Sequence, residues 1–285
     1  MYVPEIFEGE ARGRLRKLYH HIRTTMHVPI VNYLFRVLAH YPSFLTYAWE
    51  VSRPNLLSLS FERACDELRA ITLPESVELQ LPAFVTQRDL RGAASILPVF
   101  HYVNPKLLLL ATAWYEALSE RPIHGRTNTE DIYVPPGIPA TFPKQVPLVR
   151  YETAPPHLQH LLKHIVDTHR AFGPASDYRA LAHYPTFLSG AWTEIQPQIH
   201  ATWYREAADQ LLHKAQGLAH TLPHPLPLSP TRLQKTLSER EVASALGIIA
   251  MFQRLLPNLI LDVALMTRLQ TQPVQKGWWN NPFRG

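Results

Sequence analysis

The chain has 285 residues, 46% of them hydrophobic and 18% charged, with a formal net charge of +5 when its fifteen histidines are neutral. Such a composition is that of a globular protein, with length enough for one large domain or two of average size. The single cysteine, Cys65, excludes a disulfide framework, a Cys-x-x-Cys redox pair and a thiolate metal cluster within one chain.

Apolar residues recur at helical spacing through most of the chain, which predicts an all-α fold. The opening segment MYVPEIFEGEARGRLRK has no apolar run suited to a signal peptide, and runs such as Leu107 to Ala113 are short for a bilayer. A cytoplasmic address without membrane contact is expected. Amphipathic helices are predicted over 12–25, 54–70, 105–118, 157–169, 201–219 and 257–269. Pro54, Pro105, Pro197 and Pro257 are read as first-turn residues, where a missing N–H costs nothing. Between Arg121 and His157 stand eight of the 26 prolines, the mark of an extended linker. The expected organisation is a helical repeat over 1–120, a Pro-rich linker over 121–156 and a second helical repeat over 157–285. Its tail contains Trp278 and Trp279 and is expected to dock on the body.

The chain is written twice. Arg36 to Trp49 reads RVLAHYPSFLTYAW and Arg179 to Trp192 reads RALAHYPTFLSGAW, with ten of fourteen positions identical at an offset of 143. Asp177 then falls opposite Leu34. A second match, Val99 to Leu108 against Met251 to Ile260, runs at an offset of 152 and sets Asn104 opposite Leu256. Duplicated helical halves tend to pack about a pseudo-two-fold axis, as a homodimer would. Two tandem helical repeats forming an intramolecular pseudo-dimer are therefore expected, around a central cleft that takes Asn104 from one half and Asp177 from the other.

FHYVNPKLLLL (Phe100 to Leu110) and GPASDYRALAHYP (Gly173 to Pro185) together resemble the group I 2-haloacid dehalogenases, the all-helical family. MHVPIVNYLFRVLAHYP (Met26 to Pro42) resembles that family's first-half segment. The resemblance implies hydrolysis of short 2-haloalkanoic acids without a cofactor, a small anionic substrate as partner, and a chain that is a monomer or homodimer. It implies Asp177 as the base that activates a directly attacking water, and Asn104 as the group that holds this water. An ionised Asp suits that role, and an amide offers both a donor and an acceptor. Pro174, Ala175 and Ser176 would open a helix whose free N–H groups suit a substrate carboxylate. The dipole of that helix would favour the ionised form of Asp177, and burial in the cleft would oppose it. A small residue at Ala175 goes with acceptance of both enantiomers in that family. The apolar wall would come from Tyr33, Ile30, Leu107 and Phe252. There the family has Phe, Trp, Tyr and Tyr, which loosens the substrate assignment and leaves two alternatives: a non-catalytic carboxylate binder, and a hydrolase or lyase for a non-halogenated acid.

Each residue also has a plainer reading. Asn104 before Pro105 could be a helix cap, and Asp177 an acid complementing a helix dipole. Cys65 lies in an apolar stretch and reads as inert core, as do Trp49 and Trp192. His157, His160, His164 and Asp167 could share a helix face, but they lack the His-Glu-x-x-His pattern and a solvated face explains them equally well, so no metal is expected. Ser176 has no triad pattern. The basic residues form no stripe interleaved with aromatics, which argues against nucleic acid.

Overall fold

The computed structural model describes residues 3–126 and 131–271. Trp278 and Trp279 lie outside the described residues. Within them the fold is all-α: there are no strands, only the isolated bridges Ser58–Tyr133 and Ile123–Leu226. The helices are α1 (Gly13–Met26), α2 (Tyr33–Leu38), α3 (Pro42–Leu56), α4 (Leu59–Arg69), α5 (Gln87–Leu118), α6 (Pro156–His169), α7 (Ser176–Leu181), α8 (Pro185–Ile199), α9 (Thr202–Ala219), α10 (Pro230–Leu233) and α11 (Glu239–Thr271). The starts of α1 and α6, α2 and α7, α3 and α8, and α4 and α9 are each 143 residues apart.

Local geometry follows the same spacing. The chain leaves α1 at His27 (φ 61°) and α6 at Arg170 (φ 52°), both left-handed. It enters α3 through Tyr41 (φ −119°, ψ 65°) and α8 through Tyr184 (φ −123°, ψ 67°), because Pro42 and Pro185 bar the residue before them from helical geometry.

The prolines read as helix starts are instead internal: Pro54 in α3, Pro105 in α5, Pro197 in α8 and Pro257 in α11. An internal proline removes one hydrogen bond and typically costs about 3 kcal/mol, so burial must outweigh it. In α5 every side chain from Val103 to Trp114 is buried, the pattern of a helix enclosed on all sides. Arg69 also repairs the break that Pro105 leaves. Its Nε donates to the His101 carbonyl at 3.3 Å, and its Nη2 to the Tyr102 carbonyl at 3.0 Å. The predicted helix over 54–70 is two helices, divided where the Ser58 hydroxyl accepts from Phe61 N–H and starts α4.

The longest helices, α5 and α11, make the most extensive helix–helix contact and form the centre of the core. At 32 and 33 residues they are long and apolar enough to cross a membrane, contrary to the short runs expected. Most of each apolar stretch is enclosed by the protein, as in the core helices of folded domains. The proline-rich segment bonds to elements that precede it and elements that follow it in the chain. Gly137 N–H donates to Thr24 O and Val134 N–H to Leu57 O, while Arg126 N–H reaches Pro223 O and Val149 N–H reaches Arg179 O. Cys65 is buried under α5, and burial pushes its thiol well above the ordinary range.

Candidate active site

The two six-residue helices, α2 and α7, are buried along their whole length. Ala175 precedes α7 in extended geometry without a side-chain cap, which leaves Ser176 and Asp177 as its first two residues. Asp177 is 3% exposed and Asn104, on α5, is 2% exposed. Asn104 Nδ2 donates to Asp177 Oδ2 at 3.2 Å, and Tyr178 N–H donates to Oδ1 at 3.1 Å. Asn104 sits deep inside α5, so the cap reading is corrected: at that position its amide serves no helix end.

Asp177 is pushed up from 3.8 to about 6. Burial is the main cause and the charge of Asp262 adds to it, while the Asn104 amide and the Tyr178 N–H pull the other way. Burial thus outweighs the helix terminus. The surface-acid reading fails with it, because this carboxyl has no access to solvent.

Asn104, Asp177, Ser176, Ala175, Tyr33, Leu107 and Phe252 line one cavity, completed by Asn32, Leu34, Leu256 and Leu259. Its volume is about 20 Å³, room for a water. Tyr33 meets Phe252 edge-on, with ring centroids 5.3 Å apart, and its N–H donates to Ser176 Oγ at 3.0 Å. Arg36 Nη2 also donates to that oxygen, at 3.3 Å. Among the described residues no histidine hydrogen-bonds Ser176, whose oxygen accepts from Tyr33 N–H and Arg36 instead, so a triad finds no support. Ile30 does not belong to the wall. It is buried in the turn after α1, and Asn32, at the N-cap of α2, reaches the cavity instead.

A second buried cluster lies behind Asp177. Asp262 accepts from Tyr178 Oη at 2.6 Å and from Tyr204 Oη at 2.8 Å, and His169 Nε2 stands 3.0 Å away. Sequence reasoning missed Asp262, although it falls opposite Leu110 at the offset of 152 and carries the same signal as Asp177. Lys106, beside Asn104, is fully buried and bonds Glu62 at 2.6 Å, Tyr102 Oη at 3.2 Å and the Met26 carbonyl at 3.2 Å. The histidine-rich face of α6 is engaged otherwise: Trp192 Nε1 donates to His164 Nδ1 at 3.0 Å, and Lys163 pairs with Asp167 at 2.6 Å. Among the described residues no group of three metal-ligating side chains converges.

The family described as "Halocarboxylic acid dehydrogenase DehI" matches residues 29–172. A "2-haloacid dehalogenase, configuration-inverting" of Alcaligenes xylosoxydans xylosoxydans is 31% identical over 275 residues, covering 93% of each chain. An "(R)-2-haloacid dehalogenase" of Pseudomonas putida is 28% identical over 271 residues, covering 90% of this chain and 89% of its own. Among solved structures, a D-2-haloacid dehalogenase mutant superposes with a TM-score of 0.87 at 25% identity, covering 94% of this chain and 96% of that one. A complex of such a mutant with D-2-CPA gives a TM-score of 0.83 at 25% identity, with the same coverage. The family match, the near full-length relatives and the shared helical fold place this chain in the DehI family, whose relatives named here are 2-haloacid dehalogenases.

Proposed function

We propose that the protein is a hydrolase acting on carbon–halide bonds, which converts short 2-haloalkanoic acids to 2-hydroxy acids by direct attack of water. The observation that carries this reading is the buried Asn104–Asp177 pair on the wall of a cavity the size of a water. Asn104 orients the water and Asp177 accepts its proton as the water oxygen bonds to C2. The halide leaves from the opposite face with the bonding electron pair. A positioned base contributes about 10²–10⁴-fold, and a carboxyl near 6 is ionised at neutral pH yet more basic than an exposed one. Attack opposite the leaving group inverts C2, and the Alcaligenes relative is named as configuration-inverting. No cofactor or metal takes part. The substrate carboxylate lies on the Ser176 and Ala175 side, and Tyr33, Leu107, Phe252 and Leu259 hold the alkyl group and halogen. The small Ala175 leaves room for either enantiomer. The cavity must widen to admit the acid, which is several times the size of a water.

The two helical segments flanking the proline-rich linker form an intramolecular pseudo-dimer, a reading supported by four helix starts that recur at the same offset of 143. The protein acts in the cytoplasm as a monomer or homodimer. A single turnover in ¹⁸O water with excess enzyme tests the mechanism: label is expected in the first hydroxy acid formed. Unlabelled product, with label entering only after a later turnover, would mean an ester on Asp177 and overturn direct attack. Failure to release halide from 2-chloropropionate, with thermal stabilisation by carboxylates, would favour the non-catalytic binder.

A further inference from the structure

Two surface openings lie near the active cavity. One, of about 350 Å³, meets it at Tyr33 and is lined by Glu5, Glu10, Glu152, Arg150 and Arg179. The other, of about 610 Å³, is rimmed by Arg170, Arg205 and Arg254. It shares His169, Ala171 and Leu255 with a void of about 10 Å³, which shares Ala175 and Leu259 with the active cavity. We infer that the anionic substrate reaches Asp177 through the arginine-rimmed mouth, passing the neck formed by Ala171, Gly173 and Leu255; this rests on the 2-haloacid reading above.

Charge separates the two openings. Around the smaller one, Arg150 is paired with Glu10, and both Arg179 and Arg36 with Glu5, so that with Glu152 three acids face three guanidinium groups. The arginine mouth holds three exposed guanidinium groups with no side-chain hydrogen bond or ion pair among the described residues, against one acid, Asp209. A carboxylate meets balanced, mutually paired charge at the first and an excess of free cations at the second. Local potentials of this kind raise association rates by roughly 10–10³-fold.

The mouth exists in one half only. The positions 143 residues before Arg170 and Arg205 hold His27 and Glu62, and those 152 residues before Arg254 and Asn258 hold Tyr102 and Lys106. Those four side chains close on one another around the buried Lys106 ammonium. In the second half the same positions are open and cationic. At the neck, His169 Nδ1 is buried with no hydrogen-bond partner, while the other ring nitrogen faces Asp262. That leaves a polar atom free where the passage leads inward.

The test measures association of 2-chloropropionate with the Asp177→Asn protein by stopped-flow fluorescence of Trp192, which packs edge-on against Tyr178 at 5.9 Å. Adding Arg170→Gln, Arg205→Gln and Arg254→Gln is expected to slow association about tenfold at low ionic strength. The difference should vanish near about 1 M salt, where the screening length is roughly 3 Å. Ala208→Glu, which adds an acid to the same mouth, should also slow association, and Thr153→Glu at the other opening should not. Equal rates for the triple variant and its parent at low salt, or slowing by Thr153→Glu alone, would overturn the route. Absence of halide release by the unmodified protein would instead overturn the dehalogenase reading, and the route with it.

Discussion

Asp177→Asn should abolish halide release and, at alkaline pH, make the protein more stable. The carboxyl stands at about 6 in the folded chain against an ordinary 3.8. Between those values the folded chain holds a proton that the unfolded chain has released, so stability falls as pH rises through this window. Above about pH 6 the whole penalty is in force. A shift of about two units corresponds to about 3 kcal/mol. The amide has the shape of the carboxylate and carries no charge to bury, and it keeps an oxygen for Asn104 at the expense of the bond from Tyr178 N–H, so about 3 kcal/mol is the upper limit. The variant should therefore be more stable than its parent by up to about 3 kcal/mol near pH 8, with little difference near pH 4. Urea unfolding of both proteins across that range measures it. A variant no more stable near pH 8, or a difference that does not change with pH, would refute the claim that burial governs this carboxyl.

Three further expectations follow from other contacts. The rate of halide release should climb with pH through about 6 and then level off; in Asn104→Leu the limb should move up by about one unit and the plateau fall at least about tenfold, since a bond to the charged form is lost. Gly173→Ala would place a Cβ 2.3 Å from Tyr33 Oη, so it should lower stability, and Tyr33→Phe should relieve much of the loss. A double-mutant cycle by thermal or urea unfolding should show coupling of about 1 kcal/mol or more between them. Lys106→Met should destabilise the protein, by less than the roughly 3–5 kcal/mol of a fully buried pair because Glu62 is partly exposed and keeps Tyr102 Oη as a donor, and adding Glu62→Gln should recover part of it in the same urea assay.

Amphipathic periodicity located α1, α6 and α9 to within a residue at each end, because each lies on the surface with one apolar face. It failed where tertiary burial overrode local rules. Nothing in QRDLRGAASILPVFHYVN announces the first half of α5, since Gly92 and Pro98 argue against a helix and only enclosure by neighbouring elements sustains one. The copy-against-copy comparison drew attention to Asp177 and Asn104, which the fold brings within hydrogen-bond distance. The same comparison would have found Asp262, hidden among apolar neighbours. Ile30 is placed on the wall only by the resemblance, as the counterpart of a family aromatic, and it lies in a turn whose side-chain direction no periodicity specifies. The ionisation of Asp177 depends on a contest between burial and helix terminus, and burial is a property of the assembled core alone.

The bond from α5 to α7 has a corollary for assembly. Residues 1–120 supply the amide but have Leu34 where the acid would be, and residues 157–285 supply the acid but have Leu256 where the amide would be. A homodimer built from either segment alone would present two identical faces and lack one member of this pair. On the proposed pseudo-dimer reading, the two segments are mutually obligate, and a homodimer of either one could not reproduce the proposed pair of amide and acid.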